Sequence, residues 1–296
     1  LHAPRQTGKT SALLALQNHL NLQAKFRALY FNVEVGQAAR ENIEPALTAI
    51  LLELAQNAKT YLGDSLPQSL VDEAVQKRIC GSSLNTILTA WAERNEKPLV
   101  LLIDEIDSLV GDTLISVLRQ IRAGYPKRPR SFPQSIVLCG VRDIRDYRIR
   151  TSSKDIITGG SAFNIKAESL KLGNFSESEV KALLMQHTEE TGQKFTPEAV
   201  GEIWRLTQGQ PWLVNALAYE TCFRLPNGKI RSQPITLEMV ETAKENLILR
   251  RETHLDQLTD KLREERVRRV IEPILKGDDR IVDLPVDDVQ YAIDLG

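Results

Sequence analysis

The 296-residue sequence contains no run of about eighteen apolar residues, so we expect no part of it to cross a membrane. Its three cysteines, Cys80, Cys139 and Cys222, lie far apart and form neither a metal-ligand pair nor a disulfide framework. A reducing cytoplasm is therefore the expected compartment. The formal net charge of −1 argues against a uniformly basic protein that coats nucleic acid, although it leaves room for a local basic patch.

What is present is the composition of a soluble globular protein, with 42% hydrophobic and 26% charged residues. The length allows one large domain or two to three smaller ones. The chain starts at Leu1 rather than at a methionine and stops within an unfinished pattern, so we expect it to be a piece of a longer protein.

In the first half of the chain, short apolar runs alternate with segments of helical spacing. The runs Ala28–Val33, Leu99–Ile103 and Ser135–Cys139 predict strands, and a further short strand is expected around Glu168–Leu172. The Leu99–Ile103 run shows no polar alternation, which is typical of a strand buried on both faces of a parallel sheet. Residues 1–172 are therefore predicted to form an α/β domain with a doubly wound parallel sheet.

The second half is predicted to be helical. Ser176 and Glu179 have the spacing of a capping box, and Thr196 followed by Pro197 has the form of a helix start. We expect an α-helical lid over residues 173–233. A helix–strand–helix pattern over residues 234–296 fits a partial winged-helix segment.

A phosphate-binding loop is predicted at the start of the chain. Gly8, Lys9 and Thr10 supply a flexible turn, a lysine that can reach the outer phosphates and a hydroxyl that can hold magnesium. Ala3 stands where the motif has its first glycine, and an alanine is tolerated there if its φ stays negative. The predicted ATP-binding residues of the loop are Pro4, Arg5, Gln6, Thr7, Gly8, Lys9, Thr10 and Ser11.

An acidic pair, Asp104 and Glu105, follows the most apolar strand. Ligands of open α/β sheets bind beyond the carboxyl ends of the strands, so we expect Asp104 to order Mg²⁺ together with Thr10. Glu105 is the predicted base that polarises the attacking water, and Lys9 completes the catalytic set. The alternative is that both acids only begin a helix, but this does not explain their place after so apolar a strand. Together the two motifs predict Mg²⁺-dependent hydrolysis of ATP.

A further polar residue, Arg142, follows the Ser135–Cys139 strand. A guanidinium can bind phosphate in a bidentate manner, so Arg142 is a candidate for sensing the γ-phosphate and for a catalytic role. A surface arginine paired with Asp143 or Asp146 is an equally good interpretation.

The motifs occur as the strings "APRQTGKTSALLAL", "LVLLIDEIDSL", "SIVLCGVRD" and "LTQGQPWLVNAL". Their order resembles that of the AAA-like and STAND P-loop ATPases, particularly the branch of archaeal-type ATPases and origin-recognition-like proteins. The resemblance covers residues 1–223. It implies that Pro211, in the Gly209-Gln-Pro211 motif, lies against the adenine; from the residues alone, a simple helix break explains that motif equally well.

The resemblance also implies a function. It predicts an ATP-driven regulatory or signalling switch, with an origin-recognition-like, ATP-dependent DNA-binding protein as the alternative. ATP and ADP are the expected ligands, and a DNA or protein effector could bind the C-terminal segment. In ring-forming relatives Arg128 or Arg130 would face a neighbouring copy as an arginine finger, so a homo-oligomer is an open expectation. The other interpretations are that these arginines contact nucleic-acid phosphates, or that they lie in a plain surface loop.

Overall fold

A computed structural model describes residues 1–77, 81–150, 156–158, 164, 168–250, 261–277 and 285–295. The chain divides into two compact units. The first comprises Leu1–Ala3 and Lys9–Leu172, and the second comprises Pro4–Gly8 and Gly173–Gly296.

The first unit is built on a parallel sheet. Strands β1 (Arg27–Asn32), β2 (Leu99–Asp104) and β3 (Ser135–Leu138) lie in the order β1–β2–β3. They correspond to the three apolar runs in the sequence. The pairing of β1 with β2 places Asn32 opposite Asp104, so that two polar residues end adjacent strands.

The start of the chain extends this sheet beyond β3. His2 forms parallel bridges with Gly140, which follows β3, and with Lys171. Backbone N–H groups of His2 and Leu172 donate to Leu170 and to His2, at 2.9 and 3.0 Å. The segment expected to be a strand around residues 168–172 therefore pairs with the chain start, which places Leu1–Ala3 inside the sheet.

Helices pack on both faces of the sheet. Helix α1 (Lys9–Leu22) contributes Leu13 to a small apolar cluster on one face. The other members of that cluster are the buried residues Ala28, Val100, Leu102 and Cys139. The alternate strand residues, among them Phe31 and Leu101, belong to a larger core on the opposite face. Side chains of adjacent strand residues point to opposite faces, which is why β2 carries no polar residue before its end.

Four helices also contribute apolar residues to the larger core, and these are α2 (Ile43–Leu62), α3 (Leu66–Gln76), α4 (Ser83–Glu93) and α5 (Gly111–Gly124). Helix α3 was not predicted from the sequence, because a proline is compatible with a turn as well as with the first turn of a helix. Gly63 does end α2 in the left-handed conformation, but Pro67 lies in the first turn of α3, where a missing N–H costs nothing.

A short antiparallel hairpin, β4 (Arg148–Arg150) and β5 (Ile156–Thr158), completes the described part of this unit. The sequence did not predict it. The prediction of a mixed α/β fold with a parallel sheet is confirmed. The complete doubly wound topology stays a prediction.

The second unit is helical over its described length. Its helices are α6 (Glu177–Thr191), α7 (Pro197–Thr207), α8 (Pro211–Tyr219), α9 (Leu237–Leu249), α10 (Glu265–Leu275) and α11 (Val286–Leu295), with a π-helical turn at Glu220–Arg224. The capping box at Ser176 and the N-cap at Thr196 are confirmed. Val180, Ile203, Val214 and Val240 are among the residues of its apolar core. The strand expected within residues 281–284 lies outside the described residues, and the winged-helix segment stays a prediction.

No described helix is long and apolar enough to cross a membrane. Cys139 and Cys222 are free and buried, whereas Cys80 lies outside the described residues.

Candidate functional site

The phosphate-loop segment begins at a residue that is fixed within the sheet. Ala3 is completely buried, and its N–H donates to the Gly140 carbonyl at 3.2 Å. Its φ is not among the positive values, so the condition under which an alanine can replace the glycine of the motif is met. A Cβ therefore costs no backbone strain at this position.

The loop itself turns through the left-handed conformation twice. Gln6 has a φ of 60° and Gly8 a φ of 82°. The Thr7 hydroxyl donates to the Pro4 carbonyl at 2.8 Å, which closes the turn. Helix α1 begins at Lys9, directly after Gly8, so its unpaired first N–H groups and its positive dipole end follow the loop. This is the arrangement of a helix start that can bind phosphate.

Lys9 has a buried ammonium. Its side chain is 7% exposed, and Nζ donates to the Ala3 carbonyl at 3.0 Å. The contact turns the lysine side chain back toward the residue that ends the first chain segment. The positive charge is thus held against the Ala3 carbonyl and away from solvent.

The two predicted halves of the site meet at one hydrogen bond. Thr10 Oγ1 donates to Asp104 Oδ2 at 2.7 Å, although the two residues are 94 positions apart in the chain. Asp104 is completely buried at the end of β2, and Thr10 lies in the first turn of α1. A hydroxyl and a carboxylate are thereby placed side by side.

Asp104 has a further partner that the sequence did not identify. The Tyr30 hydroxyl donates to Asp104 Oδ2 at 3.2 Å. Burial, and then the negative charge of Asp104, raise the pKa values of both the Tyr30 phenol and the Cys139 thiol. Both groups therefore stay protonated, and the phenol acts as a donor. No sequence motif marks Tyr30, and the register of β1 against β2 is what brings it beside Asp104.

Glu105 lies in a strained turn. Its φ of 55° and ψ of 41° are left-handed, which costs a non-glycine residue about 1 kcal/mol. Its N–H donates to Asp104 Oδ1 at 2.9 Å, and the next N–H, that of Ile106, donates to the Cys139 carbonyl at 3.0 Å. Two hydrogen bonds donated by backbone N–H groups thus hold the strained conformation at the end of β2. Strain that the surroundings maintain in this way is common at functional sites.

The other arginine candidates lie beside β3. Arg142 and Arg128 both line a cavity of about 530 Å³ along β3. Burial lowers the pKa of Arg128, and its guanidinium lies 5.2 Å from the ring centroid of Tyr125. Asp143, which was one candidate partner for Arg142, forms a salt bridge with Arg145 at 3.2 Å. The sensor and finger roles of these arginines stay predictions.

The Gly209-Gln-Pro211 motif has a local structural explanation. Gly209 has a φ of +72°, and a Cβ built on it would lie 1.9 Å from the carbonyl oxygen of Phe175. The Gln210 side chain caps α8 by accepting from the Leu213 N–H at 2.6 Å, and Pro211 occupies the first turn. Only glycine fits the first position, and the motif as a whole starts a helix. The predicted contact of Pro211 with adenine stays a prediction.

Solved structures with a similar fold include the Drosophila ORC bound to DNA and a Walker-type ATPase of Pyrococcus abyssi. The TM-scores are 0.51 and 0.53, at 15% and 16% sequence identity. The similarity covers 83% of this chain and 54% of the Drosophila chain, and 99% of this chain and 82% of the Pyrococcus chain. The chain thus spans about half the length of the Drosophila protein. No protein-family model and no curated protein matches the sequence.

The fold is that of the AAA-like P-loop ATPases.

Within this AAA-like fold, the oxygen donors beside α1 suit magnesium. The Thr10 hydroxyl and the Asp104 carboxylate are hard oxygen ligands of the kind that Mg²⁺ prefers. In the described part of the chain, no three His, Cys, Asp or Glu side chains form a cluster able to hold a metal. A site with one carboxylate and one hydroxyl fits a magnesium ion that keeps several waters and is also bound by substrate phosphates.

Proposed function

We propose that the protein binds ATP with Mg²⁺ and hydrolyses it, and that the nucleotide state acts as a regulatory or signalling switch. The observation that carries the proposal is the hydrogen bond between Thr10 and Asp104. It joins a helix that starts at a phosphate-type loop to a buried carboxylate at the end of a parallel strand. Two motifs that occurred by chance would not be expected to lie in contact in the folded chain.

The proposed roles follow from position and chemistry. The loop 4–8, together with the N–H groups at the start of α1 and with Ser11, would surround the phosphates, and Lys9 would neutralise their outer oxygens. Thr10 and Asp104 would hold Mg²⁺, which when bound neutralises charge on the phosphates. Glu105 would accept a proton from the attacking water. Arg142 is the proposed γ-phosphate sensor and Pro211 the proposed adenine contact.

Two substitutions separate binding from chemistry. Lys9→Ala removes an ammonium whose hydrogen bonds to charged groups contribute about 1.5–3 kcal/mol each, so ATP affinity should fall by a factor of about 10²–10⁴ with two bonds lost. Glu105→Gln removes a base without changing the size of the side chain. It should keep ATP binding and lose turnover by a factor of about 10²–10⁴. Binding is measured by anisotropy of a fluorescent ATP analogue, and turnover by phosphate release.

The matched controls are exposed residues outside the site. Lys25→Ala and Glu93→Gln remove the same groups and should leave both measurements unchanged. Full turnover in Glu105→Gln would refute the role of Glu105. Unchanged affinity in Lys9→Ala would refute ATP binding at this loop.

The switch requires the helical unit to respond to the nucleotide. Limited proteolysis should give different fragment patterns for the second unit with ADP and with a non-hydrolysable ATP analogue. Identical patterns with both nucleotides would contradict a switch, although not ATP hydrolysis itself.

An ATP-dependent DNA-binding protein is the second candidate, supported by the similarity to an origin-recognition structure that holds DNA. Helix α10, in the segment after residue 233, carries Arg266, Arg268 and Arg269 within four residues. Each of these that contacts a phosphate should add about 0.9 to the slope of log affinity against log salt concentration. Duplex binding that is insensitive to salt, or to loss of these arginines, would contradict this candidate.

A further inference from the structure

Asp104 receives a second hydroxyl donor that the nucleotide motifs do not include. The Tyr30 hydroxyl lies 3.2 Å from Asp104 Oδ2, the same oxygen that accepts from Thr10 at 2.7 Å. The other oxygen, Oδ1, accepts from the N–H of Glu105 at 2.9 Å. Both carboxylate oxygens therefore accept hydrogen bonds from the protein.

Tyr30 is fixed independently of this contact. Its N–H donates to Gln17 Oε1 at 2.5 Å, and Gln17 is a buried residue of α1. Its backbone pairs with Leu102 on β2, two residues before Asp104. The backbone of Tyr30 is consequently hydrogen-bonded both to the helix that carries Thr10 and to the strand that carries Asp104, and this fixes the position of the phenol.

We propose that Tyr30 is a positioning residue for the magnesium site, which orients the Asp104 carboxylate through its hydroxyl. This inference rests on the proposed function. Metal affinity depends on the groups that orient a ligand, and losing such a partner commonly lowers it 10- to 100-fold. With Thr10 engaged by the metal, the phenol is the side-chain hydroxyl that keeps Asp104 Oδ2 from rotating away.

Burial supports the donor role. A carboxylate that is completely buried requires several donors, and at Asp104 these come from α1, β1 and the turn after β2. Tyr30 is the contribution of β1. Thr10 belongs to the proposed phosphate-binding segment, and its hydroxyl is also a proposed ligand of Mg²⁺, which the phenol is not.

The test is a magnesium titration of nucleotide binding in Tyr30→Phe, which removes only the hydroxyl. The expected result is that half-saturation requires about tenfold more Mg²⁺. Affinity for the fluorescent ATP analogue in EDTA should stay within about twofold of wild type, because no phosphate contact is lost. Tyr61→Phe, at a 55% exposed position on α2, is the control and should match wild type in both measurements.

Each other outcome decides the matter. An unchanged or lower Mg²⁺ requirement in Tyr30→Phe overturns the positioning role and leaves the proposed function intact. Loss of metal-free nucleotide binding or of cooperative unfolding in Tyr30→Phe shows a structural role and also overturns it. If wild type shows no Mg²⁺-dependent gain in nucleotide affinity, the proposed function and the inference fail together.

Discussion

Gly209 offers a sharp test of why the Gly209-Gln-Pro211 motif exists. Its φ is +72°, and a Cβ added to it would lie 1.9 Å from the carbonyl oxygen of Phe175 and 2.9 Å from the Trp204 ring. The nearest atom is backbone, which cannot rotate away as a flexible side chain can. The Phe175 N–H also donates to the Gly209 carbonyl at 2.9 Å, so moving the two segments apart strains the hydrogen bond that joins them.

The cost of Gly209→Ala follows from three contributions. The left-handed conformation costs an alanine about 1 kcal/mol. Overpacking of a filled site costs about 1–3 kcal/mol, and a weakened backbone hydrogen bond adds about 1 kcal/mol. The expected loss is roughly 3–5 kcal/mol, which is a large part of the stability of an ordinary domain.

Gly201, eight residues earlier and exposed on α7, is the matched control. A Cβ at Gly201 meets no atom within 4 Å, and its φ is not positive. Gly201→Ala should therefore stabilise α7 by about 0.5–1 kcal/mol, since glycine is unfavourable within a helix. The same substitution in the same unit is thus expected to change stability in opposite directions.

Urea unfolding followed by tryptophan fluorescence measures both variants, since Trp204 and Trp212 report on the second unit. Gly209→Asn separates the causes, because asparagine tolerates the left-handed conformation but still carries a Cβ. We expect Gly209→Asn to be nearly as destabilised as Gly209→Ala. If the free energy of unfolding of Gly209→Ala lies within about 1 kcal/mol of that of wild type, the steric argument is refuted. Recovery in Gly209→Asn would mean that backbone strain alone requires the glycine.

Two further substitutions test buried hydrogen-bond networks by urea unfolding. Gln193 is 1% exposed, and its amide NH2 lies within hydrogen-bond distance of three backbone carbonyls. Gln193→Glu should therefore cost at least about 3 kcal/mol, while Gln186→Glu on the exposed face of α6 should cost little. Equal unfolding midpoints for the two variants would contradict this. The indole N–H of the buried Trp91 donates to Asp64 at 2.9 Å. Asp64→Ala should therefore lower the free energy of unfolding by about 1–3 kcal/mol, against about 0.5 kcal/mol or less for Asp72→Ala at an exposed position. A smaller loss of stability in Asp64→Ala would show that Trp91 finds another acceptor.

Elements with a strong local cause could be predicted from the sequence. The strands β1, β2 and β3 are apolar runs bounded by polar or turn residues. The pattern is clearest in β2, which is buried along its whole length. The starts of α6 and α7 are set by side chains that cap their own helices within three residues. In each case the physical cause lies within a few positions of the element it produces.

Elements whose cause lies elsewhere in the chain could not be predicted in this way. The hairpin of β4 and β5 has three residues in each strand, and such short strands depend on the core they cover. Helix α3 was missed because a proline is compatible with both a turn and a first helical turn, and burial of Leu70 and Val71 against the core decides between them.

The residues of the candidate site also differ in whether local sequence or a distant part of the chain determines their position. Lys9, Thr10 and Asp104 were identified because each belongs to a motif whose spacing follows from the loop and the strand that carry it. Tyr30 belongs to no motif, and its place beside Asp104 depends on the pairing of β1 with β2, which brings together residues 74 positions apart. Local spacing can therefore locate the groups that contact nucleotide. The groups that hold those side chains in place come from neighbouring strands, and only the sheet register identifies them.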